Sequence, residues 1–381
     1  MAAYHQMGHH SENLLSEDNL SRFSGAILSP VNYTQPDIMQ QVRSAPAGHD
    51  LDFVFDPQLY FPNTQRGHLR QWRYFPEDVD TADISSLPWW DRLLDSLANT
   101  LREVNPNGVC SPAVVPRTFG DEYFTMLVTV GANLCASLKG SGIRILQTAI
   151  VRLADLTDAN RALHIASILS RSEIEELYLV FLGDTEPRRE LSDPEELKGA
   201  MRLISALRGA GLQMLIGFCS SEVILWKVAG ATHCATGKFF NLRRFTPARW
   251  EEPPQGGGQL PYWFEESLLA FLREADLIRV RQLDLLSEAS SRNPFGQSIL
   301  AQLDAATGHP WVGMGWRQYM HWFAEIEHRI DAQSFDVRTL LRETEQRWLY
   351  LEDNDVLMEE PRNDGSWLRP WRRALAEYQL S

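Results

Sequence analysis

The sequence predicts an α/β protein: a (β/α)8 barrel with a long insertion between one strand and its helix, followed by a helical, tryptophan-rich C-terminal extension. The first observation is that short apolar runs alternate with helical patterns from residue 25 to residue 284. The second is the run Leu177–Leu182, which has no charged or small polar residue and is typical of a strand covered on both faces of a parallel sheet. A doubly wound open sheet is the alternative, but no Gly-x-Gly-x-x-Gly motif follows an early strand.

The connection after Leu177–Leu182 shows how strand and helix alternate. Asp193 and Pro194 mark the start of a helix, and Gly209 and Gly211 mark its end. Strand, helix and the strand that follows form one parallel unit, and similar units recur along the chain. The runs predicted as strands are Ala26–Leu28, Phe53–Phe55, Ala113–Val115, Leu146–Leu153, Leu177–Leu182 and Met214–Phe218.

The end of the predicted barrel follows these six runs. The seventh strand is expected to start at His233, and the eighth to lie within Phe245–Trp250 or Gln259–Trp263. Residues 61–92 are rich in aromatic and acidic residues and are predicted to form the insertion, over one face of the barrel. The predicted regions are an N-terminal segment (1–24), the barrel (25–284) and a helical C-terminal region (285–381).

The charge of the chain limits its partners. With 50 acidic and 36 basic residues, the net charge is −14. Because such a field repels polyanions, a general nucleic-acid coat protein is disfavoured, and a nucleic acid or nucleotide would have to meet a local basic patch. No apolar run reaches the roughly 18–20 residues of a membrane helix. The N-terminus lacks the basic and apolar regions of a signal peptide, so we expect a cytoplasmic protein without membrane contact.

The cysteines give no sign of a metal site. Cys110, Cys135, Cys219 and Cys234 are widely spaced and form no Cys-x-x-Cys pair. In a chain without a secretion signal, we expect them to be reduced thiols. We predict neither a metal nor a cofactor.

Two carboxylates at the carboxyl ends of predicted strands, where barrels place their chemistry, are predicted as catalytic residues. Asp56 directly follows Phe53–Phe55, so it is expected to face the barrel mouth, where burial can raise the pKa of a carboxyl and suit it to general-base work. Asp184 stands in the same position after another strand. The alternative for both is a turn-capping carboxylate, before Pro57 in one case and beside Gly183 in the other.

A basic segment stands out against the acidic chain. Gly237–Arg249 contains four cations and three phenylalanines. Barrels often bind phosphate on the loops after strands seven and eight, and arginine suits bidentate anion recognition, so Lys238, Arg243 and Arg244 are predicted to bind an anionic group. The phenylalanines could stack on a base. The alternative is a solvated loop paired with acids such as Glu251.

Two further residues complete the predicted ligand-binding set. Gln58 belongs to it because the second predicted strand ends in Asp56-Pro-Gln58, and His233 because the seventh predicted strand runs through it. His233 and Cys234 do not form a catalytic dyad in this prediction, since neighbours on a strand point to opposite faces.

Parts of the chain resemble the tRNA-guanine transglycosylase family of (β/α)8 barrels. Leu51-Asp-Phe-Val-Phe-Asp56-Pro-Gln-Leu-Tyr-Phe is similar to the family's strand that ends in a general-base aspartate. Gly230–Arg244 is similar to the strand and basic loop around the family's nucleophilic aspartate, and Trp263–Arg281 to its helix of tyrosine and arginine. Ala235 stands at or near the position of the nucleophile, and the family's cysteine-rich zinc site is absent.

The resemblance implies a barrel mouth that binds a purine or deazapurine base, with a nucleotide or nucleic acid as ligand, in bacterial nucleic-acid modification or anti-phage defence. It leaves open whether the chain is an enzyme, because Ala235 cannot supply a nucleophile. Two other functions stay open. One is a barrel hydrolase or lyase that acts on a phosphorylated small molecule through Asp56 or Asp184 with Lys238 and Arg243. The other is a non-catalytic barrel whose tryptophan-rich C-terminal region docks a protein partner.

Overall fold

A computed structural model shows a closed barrel of eight parallel strands, which confirms the predicted fold class. It describes residues 3–12, 14, 17, 20–44, 51–77, 79–251, 260–305, 311–360 and 363–380. The strands follow one another around the barrel in chain order, and the last pairs with the first. They are β1 (Ala3–Gln6), β2 (Phe23–Leu28), β3 (Asp52–Phe55), β4 (Gly108–Cys110), β5 (Arg144–Arg152), β6 (Glu176–Leu182), β7 (Gln213–Ile216) and β8 (His233–Thr236).

Helices surround the barrel and form the C-terminal region. Helix α6 begins as predicted, because the side chain of Asp193 accepts hydrogen bonds from the backbone N–H groups of Glu195 and Glu196 and Pro194 occupies the first turn. A short antiparallel hairpin of β9 (Trp263–Glu265) and β10 (Ala270–Leu272) precedes the C-terminal helices. The helices are α1 (Gln35–Arg43), α2 (Thr81–Ile84), α3 (Leu87–Val104), α4 (Asp121–Ser137), α5 (Ala159–Leu169), α6 (Pro194–Gly209), α7 (Val223–Ala229), α8 (Glu274–Gln282), α9 (Glu288–Arg292), α10 (Pro294–Asp304), α11 (Val312–Asp331), α12 (Val337–Asp353) and α13 (Leu368–Gln379). None of the helices among the described residues is long and apolar enough to cross a membrane.

The first strand of the barrel lies within the segment that the sequence analysis places outside it. Ala3–Gln6 pairs with β2 on one side and with β8 on the other. The sequence Ala-Tyr-His-Gln has no apolar run, because polar side chains occupy both faces of this short strand. The barrel therefore begins before residue 25, and His233 opens the eighth strand rather than the seventh.

Two other predicted strands have different structures. Ala113–Val115 is a buried connection after β4, and the N–H of Val115 donates to the carbonyl of Tyr60. Phe245–Trp250 is part of a loop, held to β6 by a single bridge between Leu182 and Phe245. In the other range offered for the eighth strand, Gln259 lies outside the described residues and Trp263 begins β9.

The C-terminal region completes the helix layer of the barrel. Helix α11 packs against α7, β8 and β1. At this contact Lys227 is fully buried, and its Nζ lies 3.2 Å from Oε1 of Glu327 and 2.9 Å from a carboxylate oxygen of Asp331. A buried lysine needs such partners, since an unpaired buried charge is costly. The boundary predicted at residue 285 therefore separates the barrel strands from a helix that packs directly on them.

Candidate functional site

Asp56 lies buried at the carboxyl end of β3 and accepts hydrogen bonds only from neutral groups among the described residues. The backbone N–H of Gln58 donates to Oδ1 at 3.0 Å, and the hydroxyl of Tyr60 donates to Oδ2 at 2.9 Å. Burial raises the pKa of Asp56 to about 7, although these hydrogen bonds and the nearby Arg249 act in the opposite direction. The carboxyl can therefore gain or lose a proton near neutral pH.

A chain of polar side chains crosses the inside of the barrel from Asp56. Tyr60 is in hydrogen-bonding contact with Tyr178 on β6, whose hydroxyl donates to Oε1 of Gln6 at 3.2 Å. Burial raises the pKa of both tyrosines well above their ordinary value, so both remain protonated at neutral pH. The chain thus links the carboxyl ends of β3 and β1 through a residue in the first half of β6.

The loop after β8, residues 237–251 (the β8 loop), crosses the barrel mouth. The ring of Phe245 lies 4.9 Å from that of Tyr60, and the ring of Trp250 lies 5.3 Å from it, between centroids. Phe218, at the end of β7, packs on Phe245 at 5.2 Å. This aromatic layer lies at the barrel mouth and packs on Tyr60, which contacts Asp56.

Arg243 of the β8 loop is buried in a cage of carbonyls and rings. Its Nε donates to the carbonyl of Gly237 at 2.8 Å, and Nη2 to that of Lys238 at 3.0 Å. Its guanidinium carbon lies 3.7 Å from the ring centroid of Tyr319 on α11. Burial lowers the pKa of Arg243 to about 10, so it remains a cation at neutral pH. These contacts fix the β8 loop to the C-terminal region.

Arg244 is buried beside two glutamates. Its Nη2 lies 3.6 Å from a carboxylate oxygen of Glu190 and 3.5 Å from one of Glu222. Burial and the charge of Glu222 raise the pKa of Glu190, while Arg244 acts against them. Ser221 donates to Glu190 at 3.1 Å. Both Arg243 and Arg244 thus have partners within the protein.

Lys238 occupies a different position in the β8 loop. Its Nζ donates to the carbonyl of His10 at 2.9 Å and lies 4.7 Å and 4.8 Å from the ring centroids of Phe239 and Trp316. Burial lowers the pKa of Lys238 to about 8. The side chain is therefore mostly charged at neutral pH, with no carboxylate in salt-bridge contact among the described residues.

A cavity of about 480 Å³ adjoins Lys238, on the outer side of the β8 loop. It lies between this loop, the connection from β6 to α6, and the C-terminal region. Aromatic side chains form much of its wall, and polar side chains from the first two segments complete it. The rings are those of Phe239, Phe240, Tyr262, Phe271 and Trp316, and the polar side chains include Arg188, Lys238 and Asn241.

The remaining predicted site residues do not gather around Asp56 and the cavity. Asp184 does follow β6, but its side chain is exposed and its charge acts on Arg152 and Glu196 outside the barrel mouth. His233 opens β8, so it lies at the opposite end of the barrel, where its ring contacts Tyr4 at 5.2 Å. Strand β8 begins at His233 and ends before Lys238, so the structure does not bring these two residues together.

Gln58 lies next to Asp56 but holds a turn. Its side-chain oxygen accepts from Oγ of Ser29 at 3.2 Å and from the N–H of Val31 at 3.0 Å. Its φ of 54° places it in the left-handed region, which a non-glycine residue adopts only where neighbouring contacts hold it. Gln58 therefore positions the backbone that donates to Asp56.

No metal site is visible in the described part of the chain, where no three His, Cys, Asp or Glu side chains are placed to hold an ion. All four cysteines are free thiols, and Cys135 is the exposed one.

Several site residues carry no signal that the sequence analysis used. Tyr60 could have been found, since it lies four positions after Asp56 in the same loop. Gln6 was not predicted, because the strand Ala3–Gln6 shows no apolar run in the sequence. Trp316 and Glu190 come from distant parts of the chain, and nothing in the sequence links them to the β8 loop.

The sequence matches no protein-family model, and no curated protein matches it. Among solved structures, the chain is similar to the carboxyl transferase domain of Rhizobium etli pyruvate carboxylase, in one structure with 3-bromopyruvate and in another with pyruvate and biocytin. The identities are 7% and 8%, the TM-scores 0.33 and 0.36, and the matches cover 96% and 99% of this chain. The chain spans only 53% and 60% of those structures. No comparison confirms the transglycosylase resemblance.

Proposed function

We propose that the protein binds a purine-like base, carried on a nucleotide or a nucleic-acid strand, in the aromatic cavity beside the β8 loop. One observation carries the proposal: aromatic rings from two distant parts of the chain surround a single cavity whose wall includes a lysine without a carboxylate partner among the described residues.

The cavity suits a flat, apolar ring system. Its volume of about 480 Å³ lies within the range of small-molecule sites. Phe239, Phe240, Phe271 and Trp316 are each partly exposed, although they line a shared cavity. Stacking on such rings contributes about 1–3 kcal/mol per base. A base placed there would cover rings that are otherwise left in contact with solvent.

The cations at the cavity suit a phosphate. Lys238 is mostly charged at neutral pH, and the exposed Arg188 lies over the ring of Phe240 at 5.7 Å. In a chain with a net charge of −14, such local cations are what allow an anion to approach. Asn241 lines the same cavity, and its buried side-chain oxygen has no donor among the described residues, which supports recognition of a base edge.

Calorimetric titration with guanosine monophosphate, guanosine and ribose 5-phosphate tests the proposal. Trp316→Ala should weaken the binding of the nucleotide and the nucleoside about tenfold or more, because it removes a stacking surface. Lys238→Met should weaken binding of the nucleotide and leave that of the nucleoside unchanged.

Matched controls are Tyr350→Ala, which removes an exposed ring on α12, and Lys139→Met, which removes an exposed lysine far from the cavity. Neither should change affinity. If wild type binds none of the three compounds, or if Trp316→Ala binds them as wild type does, base binding in this cavity is wrong.

The ionisation of Asp56 favours a second candidate, acid–base chemistry on a phosphorylated small molecule. A carboxyl with a pKa near 7 is matched to proton transfer at neutral pH. Base exchange through a covalent aspartate is not part of either proposal, since Ala235 supplies no nucleophile. The test is turnover of sugar phosphates, followed by their release of inorganic phosphate or by mass spectrometry. Loss of that turnover in Asp56→Asn would support this candidate. If wild type does not turn over the sugar phosphates, acid–base chemistry on these compounds is excluded.

A further inference from the structure

Arg249 of the β8 loop is a buried cation whose hydrogen-bonding capacity is largely unused. Its side chain belongs to the short 3-10 turn Pro247–Trp250 and the residue is 8% exposed. Nη1 donates to the carbonyl of Asn241 in a long contact of 3.4 Å. Nε and Nη2 are buried, and neither has an acceptor among the described residues. Burial lowers the pKa of Arg249 to about 10, so the group stays charged at neutral pH.

No carboxylate neutralises this charge within the described part of the chain. Asp56 is close enough for its charge to act on Arg249, but its oxygens accept from Gln58 and Tyr60. Arg66 is also close and repels the guanidinium. A buried charge without partners costs stability, and a bound anion would offset that cost.

Three other buried cations among the described residues have partners that Arg249 lacks. Lys227 meets two carboxylates, Arg244 meets two glutamates, and Arg243 donates to two carbonyls from Nε and Nη2. Arg243 makes the closest comparison, because it lies in the same loop and is equally buried. It uses the two donors that Arg249 leaves without an acceptor.

Two aromatic rings lie beside Arg249 at the barrel mouth. Its guanidinium carbon lies 5.6 Å from the ring centroid of Trp250 and 5.8 Å from that of Phe218. The indole N–H of Trp250 is buried and is a further donor without an acceptor in the described residues.

We infer that the barrel mouth binds an oxyanion, the carboxylate or phosphate group of a small ligand, on Arg249 beside the rings of Phe218 and Trp250. Nε and Nη2 lie on one edge of the guanidinium, and this edge binds a carboxylate or phosphate through two parallel hydrogen bonds. The site faces the inside of the β8 loop and is separate from the aromatic cavity on its outer side. It does not rest on the proposed nucleotide binding.

Calorimetric titration with sodium benzoate and with inorganic phosphate tests the site and distinguishes the two sources of an oxyanion. Wild type should bind at least one of them saturably. Arg249→Met should weaken that binding at least about tenfold, because it removes a charge-assisted pair of hydrogen bonds. Arg249→Lys should retain weaker binding, since it keeps the charge and loses the two-pronged geometry. Lys139→Met, which removes an exposed lysine outside both sites, should bind the anion as wild type does.

The melting temperature supplies a second readout that a structural role would move. Arg249→Met should melt at the temperature of wild type or above it, because it removes a buried charge without partners. Arg243→Met should melt well below wild type. A lower melting temperature of Arg249→Met would overturn the inference, whatever the anion binding of this variant. The inference is also wrong if wild type binds neither benzoate nor phosphate, or if wild type and Arg249→Met bind them equally.

Discussion

An acidic residue stands at each end of β3: Asp52 begins the strand and Asp56 directly follows it. The two differ in burial and in the charge of their hydrogen-bond partners. Asp52 lies at the amino end, where it accepts from the hydroxyl of Tyr4 and pairs with Nη2 of Arg144 at 2.7 Å. Arg144 also pairs through Nε with Glu176 at 2.8 Å. Asp56 directly follows the strand at its carboxyl end, is fully buried, and accepts only from neutral donors.

The two ends of the barrel therefore differ in how their charged groups are paired. We propose that the amino end stabilises the fold and that the mouth binds ligands. At the amino end, opposite charges meet in partly exposed positions and need no ligand. At the mouth, the buried carboxyl of Asp56 and the buried guanidinium of Arg249 lie near each other without forming an ion pair among the described residues. Barrels concentrate their chemistry at the carboxyl ends of their strands, and Asp56 and Arg249 both lie at that end.

The largest loss of stability is expected at the amino end. Arg144→Met leaves Asp52 and Glu176 without their shared cation. Breaking a fully buried pair costs about 3–5 kcal/mol, and the partial exposure of these three side chains reduces the expected loss to about 3 kcal/mol. Denaturant unfolding at pH 7 measures it, with Arg292→Met as the control for an exposed pair. The affinity for guanosine monophosphate should not change; a parallel loss of affinity would contradict the separation of the two ends.

At the barrel mouth, neutralising the buried acid Asp56 should raise the free energy of unfolding. The pKa of Asp56 is about 7 in the folded protein against about 4 in an unfolded chain, so the folded state holds the proton more tightly. Its contribution to stability is therefore largest below pH 4 and is lost as the pH rises from 4 to 7. Asp56→Asn should be about 4 kcal/mol more stable than wild type at pH 8, and the difference should vanish near pH 4.

Asp52→Asn is the matched variant at the other end of the same strand. It should lower the free energy of unfolding at pH 8, because it weakens the pairing with Arg144. Unfolding curves of both variants at pH 4 and pH 8 decide the matter. Equal signs for the two substitutions at pH 8 would contradict the comparison.

The smallest effect is expected at Asp184, which follows β6 as Asp56 follows β3 but has an exposed side chain. Asp184→Asn should change stability by less than about 0.5 kcal/mol. Its affinity for guanosine monophosphate should equal that of wild type in the same titration. A marked loss of affinity would return Asp184 to the site as the sequence predicts.

The sequence predicts those parts of the fold that depend on local patterns. The apolar run of β6 and the start of α6 at Asp193 were predictable, because burial on both faces and a capping side chain leave a mark within a few residues. The strand Ala3–Gln6 was not predictable. Its polar side chains are buried by the barrel and the helices around it, and this burial arises only from the tertiary fold. Helix α11 covers β8 and β1 from far along the chain, and no local pattern shows this.

The site follows the same division. Asp56 was predictable from its place after an apolar strand. The roles of the β8-loop arginines were not predictable, because they depend on residues far away in the sequence. Arg244 pairs with two glutamates and Arg243 packs on the ring of Tyr319, whereas Arg249 has two donors without an acceptor in the described residues. In the sequence all three are arginines of one basic segment, so nothing there distinguishes their roles.

Hydrogen–deuterium exchange with and without guanosine monophosphate tests most directly the claim that ligands bind at the carboxyl end of the barrel. We expect slower exchange in the β8 loop, residues 237–251, and in the first turns of α11 around Trp316, because these segments form the cavity wall. The amino ends of the strands, around Asp52 and Arg144, should exchange at the same rate in both samples. Protection confined to the amino ends, or no protection anywhere at saturating nucleotide, would contradict the account.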